Sequence, residues 1–277
     1  MTLSLPERLF VPERVLRPLA WPHQLEQEYA LALLGYARRF TRGVREVIIP
    51  RLATFLASSD KRLATRRADD LADSFDGLIE SVRRRFFVRV RDAERTVRRY
   101  LKLIEAFHRR RFLEEYGRVI AINPLIGKER WLREAMKLAE QEHVNLITSI
   151  PRDGLERVRR MVHDAVINGT RAEVLAAELV KTFGIAENRA MLIAVDQTGT
   201  WFGQLQKLRQ QDAGIERYRW STVNDARVRP EHQAREGRVF SWDNPPRDGH
   251  PGYPIRCRCV AVPLIDDDPR DMDLDDE

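Results

Sequence analysis

The chain has little cysteine, no long apolar run and no low-complexity tract outside residues 266–277. Two cysteines in 277 residues do not make the disulfide framework of a small secreted scaffold, and they point to a reducing compartment. The longest apolar stretch, ALALLGYA at residues 30–37, falls far short of the roughly 20 residues that a membrane-spanning helix needs. The first residues do not read as a signal peptide, because Arg8, Glu13, Arg14 and Arg17 interrupt any apolar region. Glycine and proline are modest at 14 each, while 32% of residues are charged, a composition that suits a soluble, helix-rich protein. The length implies about two domains and is ample for a hydrophobic core.

Charge is present in excess and unevenly. The formal net charge is +6, yet residues 266–277 carry eight acidic side chains and one arginine, so the remainder carries +13. Between Arg83 and Arg118 there are thirteen Lys/Arg against five Asp/Glu. The arginines in this stretch include Arg83, Arg84, Arg85, Arg89, Arg91, Arg95, Arg98, Arg99, Arg109, Arg110 and Arg111. A stripe of this density is suited to phosphates or an acidic partner. The plainer alternative is a solvated helix face laced with pairs such as Asp92–Arg95 and Glu94–Arg98.

The chain reads as α+β: a mainly helical, elongated N-terminal body followed by a small β-containing module. Residues 1–23 hold Pro6, Pro12, Pro18 and Pro22 among apolar side chains, which predicts an extended arm docked on the body or on a neighbour. A helical body over 24–150 follows, coiled-coil-like in its narrow seams. Its first helix carries Tyr29, Leu33, Tyr36, Phe40, Val44 and Val47 at helical spacing up to Pro50. A second runs over about 76–120 with a seam of Val90, Val97, Leu101 and Ile104, and a third over about 128–147 before Ile150-Pro151. Helices over 153–167 and from Thr170 to Phe183-Gly184 come next, then one over about 186–212. From 215 to 265 the segments RYRWST, RVFSW and RCRCVAVPL read as short strands. Residues 266–277 form an acidic, disordered tail.

Three pieces of the module carry chemistry. NDARVRPEH supplies Asp225 and His232, REGRVFSW supplies a turn at Gly237, and HPGYPIRCRC supplies His250, Cys257 and Cys259. Residues two apart on a strand share a face, so both sulfurs would point one way and Arg256 and Arg258 the other. Two thiolates with His232 and a carboxylate, Asp225, or His250 make a candidate set for one zinc ion. The one-residue spacing departs from the two to four residues usual between zinc-binding cysteines. Two buried apolar cysteines beside a structural histidine, or a strained redox disulfide, explain the same letters. Ser221, Asp225 and His232 contain the letters of a catalytic triad, but no nucleophile elbow surrounds Ser221. No carboxylate cluster suggests a two-ion nuclease.

YRWSTVNDARVRPEHQAREG, followed by a proline-rich loop and HPGYPIRCRCVAVPL, resembles the C-terminal domain of the phage Mu protein F-like family of head-morphogenesis proteins. The matching positions are Trp220, Asp225, Arg227, Arg229, His232, Gly237, Pro254, Cys257, Arg258 and Cys259, and the resemblance covers about 150–265. Upstream, Arg189 and Asp196 occupy a pair of charged family positions. Two residues depart from the pattern: Arg256 stands where asparagine is frequent, and Asp196 where glutamate is commoner. The resemblance implies a non-enzymatic minor capsid protein, placed inside the virion near the portal after assembly in the host cytoplasm. It further implies contacts with portal, scaffold or other head proteins and with packaged double-stranded DNA, and no membrane. Arg227, Arg229, Arg256 and Arg258 would then offer an anion-facing edge. The rival expectations are a metal-dependent nuclease or injected effector acting through Asp225 and His232, and a DNA-binding protein without an assembly role.

Overall fold

The computed structural model describes residues 16–64, 69–117 and 129–264. Most of the expected arm, residues 118–128 and the expected acidic tail lie outside the described residues. The fold is α+β: among the described residues, six helices precede a small antiparallel sheet. Two compact units are present. One comprises the described residues within Met1–Pro22, Leu103–Ala135 and Thr198–Glu277, the other those within His23–Lys102 and Met136–Gln197.

In the second unit, helix α1 (His23–Gly43) buries Tyr29, Leu33, Ala37 and Phe40 on one face. It widens into a π turn (Val44–Ile48), then tightens into a 3-10 turn (Ile49–Arg51) around Pro50 before α2 (Leu52–Ala64). Proline has no N–H to give to an α-helical bond, and this local rewinding absorbs the defect. The helix expected over 76–120 is instead two, α3 (Asp69–Phe86) and α4 (Val90–Tyr116). Phe86 and Val88 are both buried; residues two apart cannot share a helix face, so the chain leaves the helix between them. The seam of α4 consists of Ala93, Val97, Tyr100, Leu101 and Ile104, whereas Val90 is 55% exposed.

Two expected breaks are absent. Helix α5 (Leu132–Asn168) runs through Pro151, and α6 (Ala172–Asp212) runs through Gly184. Beside Pro151, the Ser149 and Thr148 hydroxyls donate back to the carbonyls of Leu146 (2.7 Å) and Val144 (2.9 Å) of the preceding turn. One turn on, α5 comes so close to α1 that a Cβ on Gly154 would lie 2.4 Å from the Phe40 ring. On α6 the buried face of Leu175, Leu179, Phe183, Ala186 and Ala190 continues across Gly184. That burial outweighs the ~1 kcal/mol that one glycine costs a helix.

In the first unit, β1 (Arg217–Ser221) lies between β2 (Val239–Ser241) and β3 (Val260–Pro263), antiparallel to both. Tyr218 and Trp220 point into the core, which Trp242, Cys257, Cys259 and Ala261 complete. A second cluster brings Leu19 and Trp21 against Phe112, Tyr116, Phe202, Ile215 and Val260. Tyr116 Oη also donates to the Arg17 carbonyl at 2.9 Å, so residues 16–22 lie on their own unit.

Candidate metal centre

The cysteines do not sit on a strand. Cys257 and Cys259 precede β3 in a turn, where Cys257 N–H donates to the Pro254 carbonyl (2.8 Å) and Arg256 adopts a left-handed φ of 60°. The turn still buries both sulfurs and leaves Arg256 outside. The loop before it is pinned by backbone contact. A Cβ on Gly199 of α6 would lie 2.6 Å from the Cys257 carbonyl oxygen, and one on Gly203 would lie 2.5 Å from that of Pro251. Gly252 has φ +89° and equally little room, with Gly199 O 2.5 Å from an added Cβ; only glycine meets both conditions.

His232 reaches the cysteines from a single helical turn, α7 (Pro230–Gln233), which opens on a proline whose missing N–H has no helical partner anyway. Its Nδ1 lies 3.6 Å from Cys257 Sγ and 3.5 Å from Cys259 Sγ. The three ligand atoms fall within 4.8 Å of one another, and all three residues are buried. His232 Nε2 lies 2.9 Å from Asp248 Oδ2, and Arg235 Nη1 donates to the other oxygen of that carboxylate at 2.6 Å. An anionic carboxylate only accepts, so Nε2 carries the proton and Nδ1 turns its lone pair toward the sulfurs when the ring is neutral. Trp220 packs edge-on against the imidazole (5.2 Å, 72°) and bears the Arg235 guanidinium on its face.

The sulfur environment is polar for a core. Cys257 Sγ accepts from the backbone N–H groups of Gly252 (3.5 Å) and Cys259 (3.4 Å). The Cys259 thiol, His232 and these amides together lower the Cys257 thiol to about 5 against the cost of burial. The adjacent Cys257 charge and burial hold the proton on Cys259, whose thiol is pushed well up. The His232 imidazole is raised, first by its hydrogen bond to Cys257 and then by Asp248. Both cysteines are free thiols.

The other candidate residues have different partners. Asp225 lies outside the ligand group; its carboxylate accepts from the Arg227 guanidinium and from Arg227 N–H (2.9 Å), which lowers its pKa. Arg229 Nη2 donates to the Ile255 carbonyl at 2.5 Å and ties the histidine segment to the cysteine turn. Arg258 lies over Trp21 at 5.9 Å. His250 is held elsewhere: its Nδ1 is 2.9 Å from Tyr218 Oη and its Nε2 is 3.4 Å from Lys207 Nζ. Burial and the lysine lower it to about 4. Gly237 takes the turn between α7 and β2 at φ +75°, and its N–H reaches the Trp220 carbonyl at 2.9 Å.

The arginine stripe divides. Arg83 and Arg84 lie against Glu80, Arg95 against Asp92 and Arg111 against Glu114. Arg98 makes a two-pronged contact with Glu140 of α5 (2.6 and 3.1 Å), not the pair with Glu94 that spacing suggested. Arg85 and Arg110 lie over Phe86 and Phe107. Arg89, Arg91, Arg99 and Arg109 are exposed and meet no carboxylate among the described residues.

Residues that the sequence did not single out complete the site. Asp248 and Arg235 orient His232. Gln206 and Gln210 both donate to the Ala261 carbonyl on the open edge of β3 (2.7 and 2.8 Å). Behind Gln206 stands a buried chain, in which Arg209 Nη1 donates to His108 Nδ1 (2.8 Å) and His108 Nε2–H then faces Gln206 Oε1 (2.8 Å).

Comparison with known proteins agrees with the sequence motif. The chain is 37% identical over 148 residues to an uncharacterized protein of Haemophilus influenzae, an alignment covering 51% of this chain and 33% of that protein. The chain thus spans about a third of the relative's length. No solved structure matches. Residues 156–262 match the family model described as Phage Mu protein F like protein.

Proposed function

We propose that the protein is a non-enzymatic minor capsid component that acts in phage head morphogenesis. The match of residues 156–262 to the Phage Mu F-like family carries this reading. In it, the protein binds portal, scaffold or other head proteins during assembly in the host cytoplasm and remains in the virion, inside the head near the portal. The non-enzymatic part draws support from the site: the Asp225 carboxylate is engaged by Arg227, and both His232 nitrogens face partners. A nuclease acting through Asp225 and His232 would need both released. The experiment is to recover particles from a producing lysate and identify their proteins by mass spectrometry, with immunogold labelling of opened heads. The chain should co-purify with portal and capsid protein at low copy number; its absence from finished and assembling particles would overturn the reading. Incubation of the purified chain with plasmid DNA and divalent metals tests the enzyme alternative, which requires cleavage that disappears in His232→Ala.

Contact with packaged DNA is the finer part of the proposal. It rests on Arg89, Arg91, Arg99 and Arg109, four exposed cations without carboxylate partners among the described residues. If all four meet phosphates, replacing them with glutamine lowers the slope of log affinity against log salt by about 3.6, at about 0.9 per phosphate. An unchanged slope would move the DNA contact away from this stripe.

A further inference from the structure

We infer that His232 Nδ1, Cys257 Sγ and Cys259 Sγ bind one zinc ion, with Asp248 as the positioning residue behind the histidine. The inference stands on geometry and is independent of any role in a phage head. Zinc bonds of about 2.3 Å to sulfur and 2.0–2.1 Å to nitrogen, opened at a tetrahedral angle, set the nitrogen-to-sulfur edges near 3.6 Å. The two edges here are 3.5 and 3.6 Å. One S–H···N hydrogen bond would account for one such edge; what points to an ion is that both sulfurs converge on the same ring nitrogen.

Three further observations point the same way. The histidine presents Nδ1 to the sulfurs while Nε2 meets a carboxylate, the arrangement that fixes tautomer and ring orientation in metal-binding histidines. That carboxylate is itself held by Arg235 at 2.6 Å. Backbone amides of Gly252 and Cys259 point at Cys257 Sγ, where they would share the charge of a coordinated thiolate. Two soft sulfur ligands and one imidazole select zinc over the hard cations magnesium and calcium.

The fourth position opens outward. His232, Cys257 and Cys259 form part of the wall of a surface recess shared with Asp225, Arg227 and Arg256. Among the described residues three ligands converge here, so the fourth is a water or a small anion drawn from that recess. The turn that ends at the left-handed Arg256 delivers Cys257 to the site, and Cys259, two residues on, brings its sulfur to the same side.

The test uses the full chain, purified under reducing conditions without chelators, dialysed against zinc and then freed of loose metal. Elemental analysis should find one zinc per chain, and Cys257→Ser/Cys259→Ser should hold none. Cobalt(II) in place of zinc should show thiolate-to-cobalt charge-transfer absorption, roughly halved in Cys259→Ser. Asp248→Asn leaves the buried cluster intact and should weaken zinc 10–100-fold in a chelator competition. Wild-type protein with well under one zinc per chain, or without the charge-transfer band, overturns the inference whether or not the variants fold. Zinc retained at full stoichiometry in the double variant overturns it too.

Discussion

Alanine in place of glycine should change stability in opposite directions at two positions of the same helix. Gly184 and Gly203 both lie inside α6. At Gly184 nothing lies within 4 Å of an added Cβ. The only consequence there is intrinsic propensity, so Gly184→Ala should stabilise by about 0.8–1.0 kcal/mol. At Gly203 the same Cβ would sit 2.5 Å from the Pro251 carbonyl oxygen and 3.3 Å from Gly252 Cα. Ordinary carbon–oxygen contact begins near 3.3–3.6 Å, so the loop must retreat by roughly 0.8 Å. It cannot rotate away, because Gly252 is equally tight against Gly199 O. Overpacking costs about 1–3 kcal/mol, and a clash with main-chain atoms that have no rotamer to move to falls in the upper part of that range, about 2–3; after the helix gain of about 1 is subtracted, Gly203→Ala should lose about 1–2 kcal/mol. Urea titration of each variant, followed by far-ultraviolet circular dichroism and by tryptophan fluorescence, measures both. The reasoning fails if Gly203→Ala is neutral or stabilising, since α6 and the loop would then not touch through their backbones.

Other outcomes follow from buried polar groups. His143 is buried against Tyr29 Oη at 3.0 Å, and desolvation lowers it to about 3. The unfolded chain therefore takes up this proton first, and stability present above about pH 6.5 is lost at up to ~1.4 kcal/mol per unit as pH falls toward 3. Denaturant titrations of His143→Gln between pH 7 and 4.5 should show a flatter dependence, and an unchanged one would count against the assignment. Arg209 is 1% exposed and holds Glu105 (2.5 Å) and Glu129 (2.7 Å); Arg209→Met strands both carboxylates and should cost about 3–5 kcal/mol in the same assay. Gln210→Ala removes the donor to Ala261 O and the acceptor of Trp242 Nε1 (3.1 Å). It should cost about 1–3 kcal/mol and shift tryptophan emission.

Much of the first unit was legible because its signals are local. Three aromatic or β-branched runs bounded by turn residues became β1, β2 and β3, and the histidine and cysteines of the motif do meet. Asp225 misled because the sequence places it seven residues before His232, whereas its carboxylate folds back onto Arg227, two residues on. The carboxylate that meets His232, Asp248, lies in a loop of prolines and glycine that reads only as a turn. Pro151 and Gly184 misled in another way. Each is a correct local breaker signal overridden by a buried face that continues past it, and burial summed over several side chains outweighs one weak residue. The break at 87–89 carried no glycine or proline; its signal was the phase slip between Phe86 and Val88.

The face of α6 that supports the candidate metal centre escaped notice for a single physical reason. Gly199, Gly203, Gln206 and Gln210 follow one another by four, three and four residues, which aligns them on one stripe of the helix. A stripe at that spacing is ordinarily recognised because it is apolar; this one is small at one end and amide at the other. The glycines admit the backbone of the Pro251–Gly252 loop, and the glutamines donate to the β3 edge at Ala261. Both kinds of contact are made to main chain, so the module is held by groups that every residue of the loop possesses. Apart from Gly252, side-chain substitutions in the loop should accordingly be tolerated more readily than any enlargement of the two helix glycines. The placement of Cys257 depends on that asymmetry, because its own carbonyl is one of the atoms that Gly199 leaves room for.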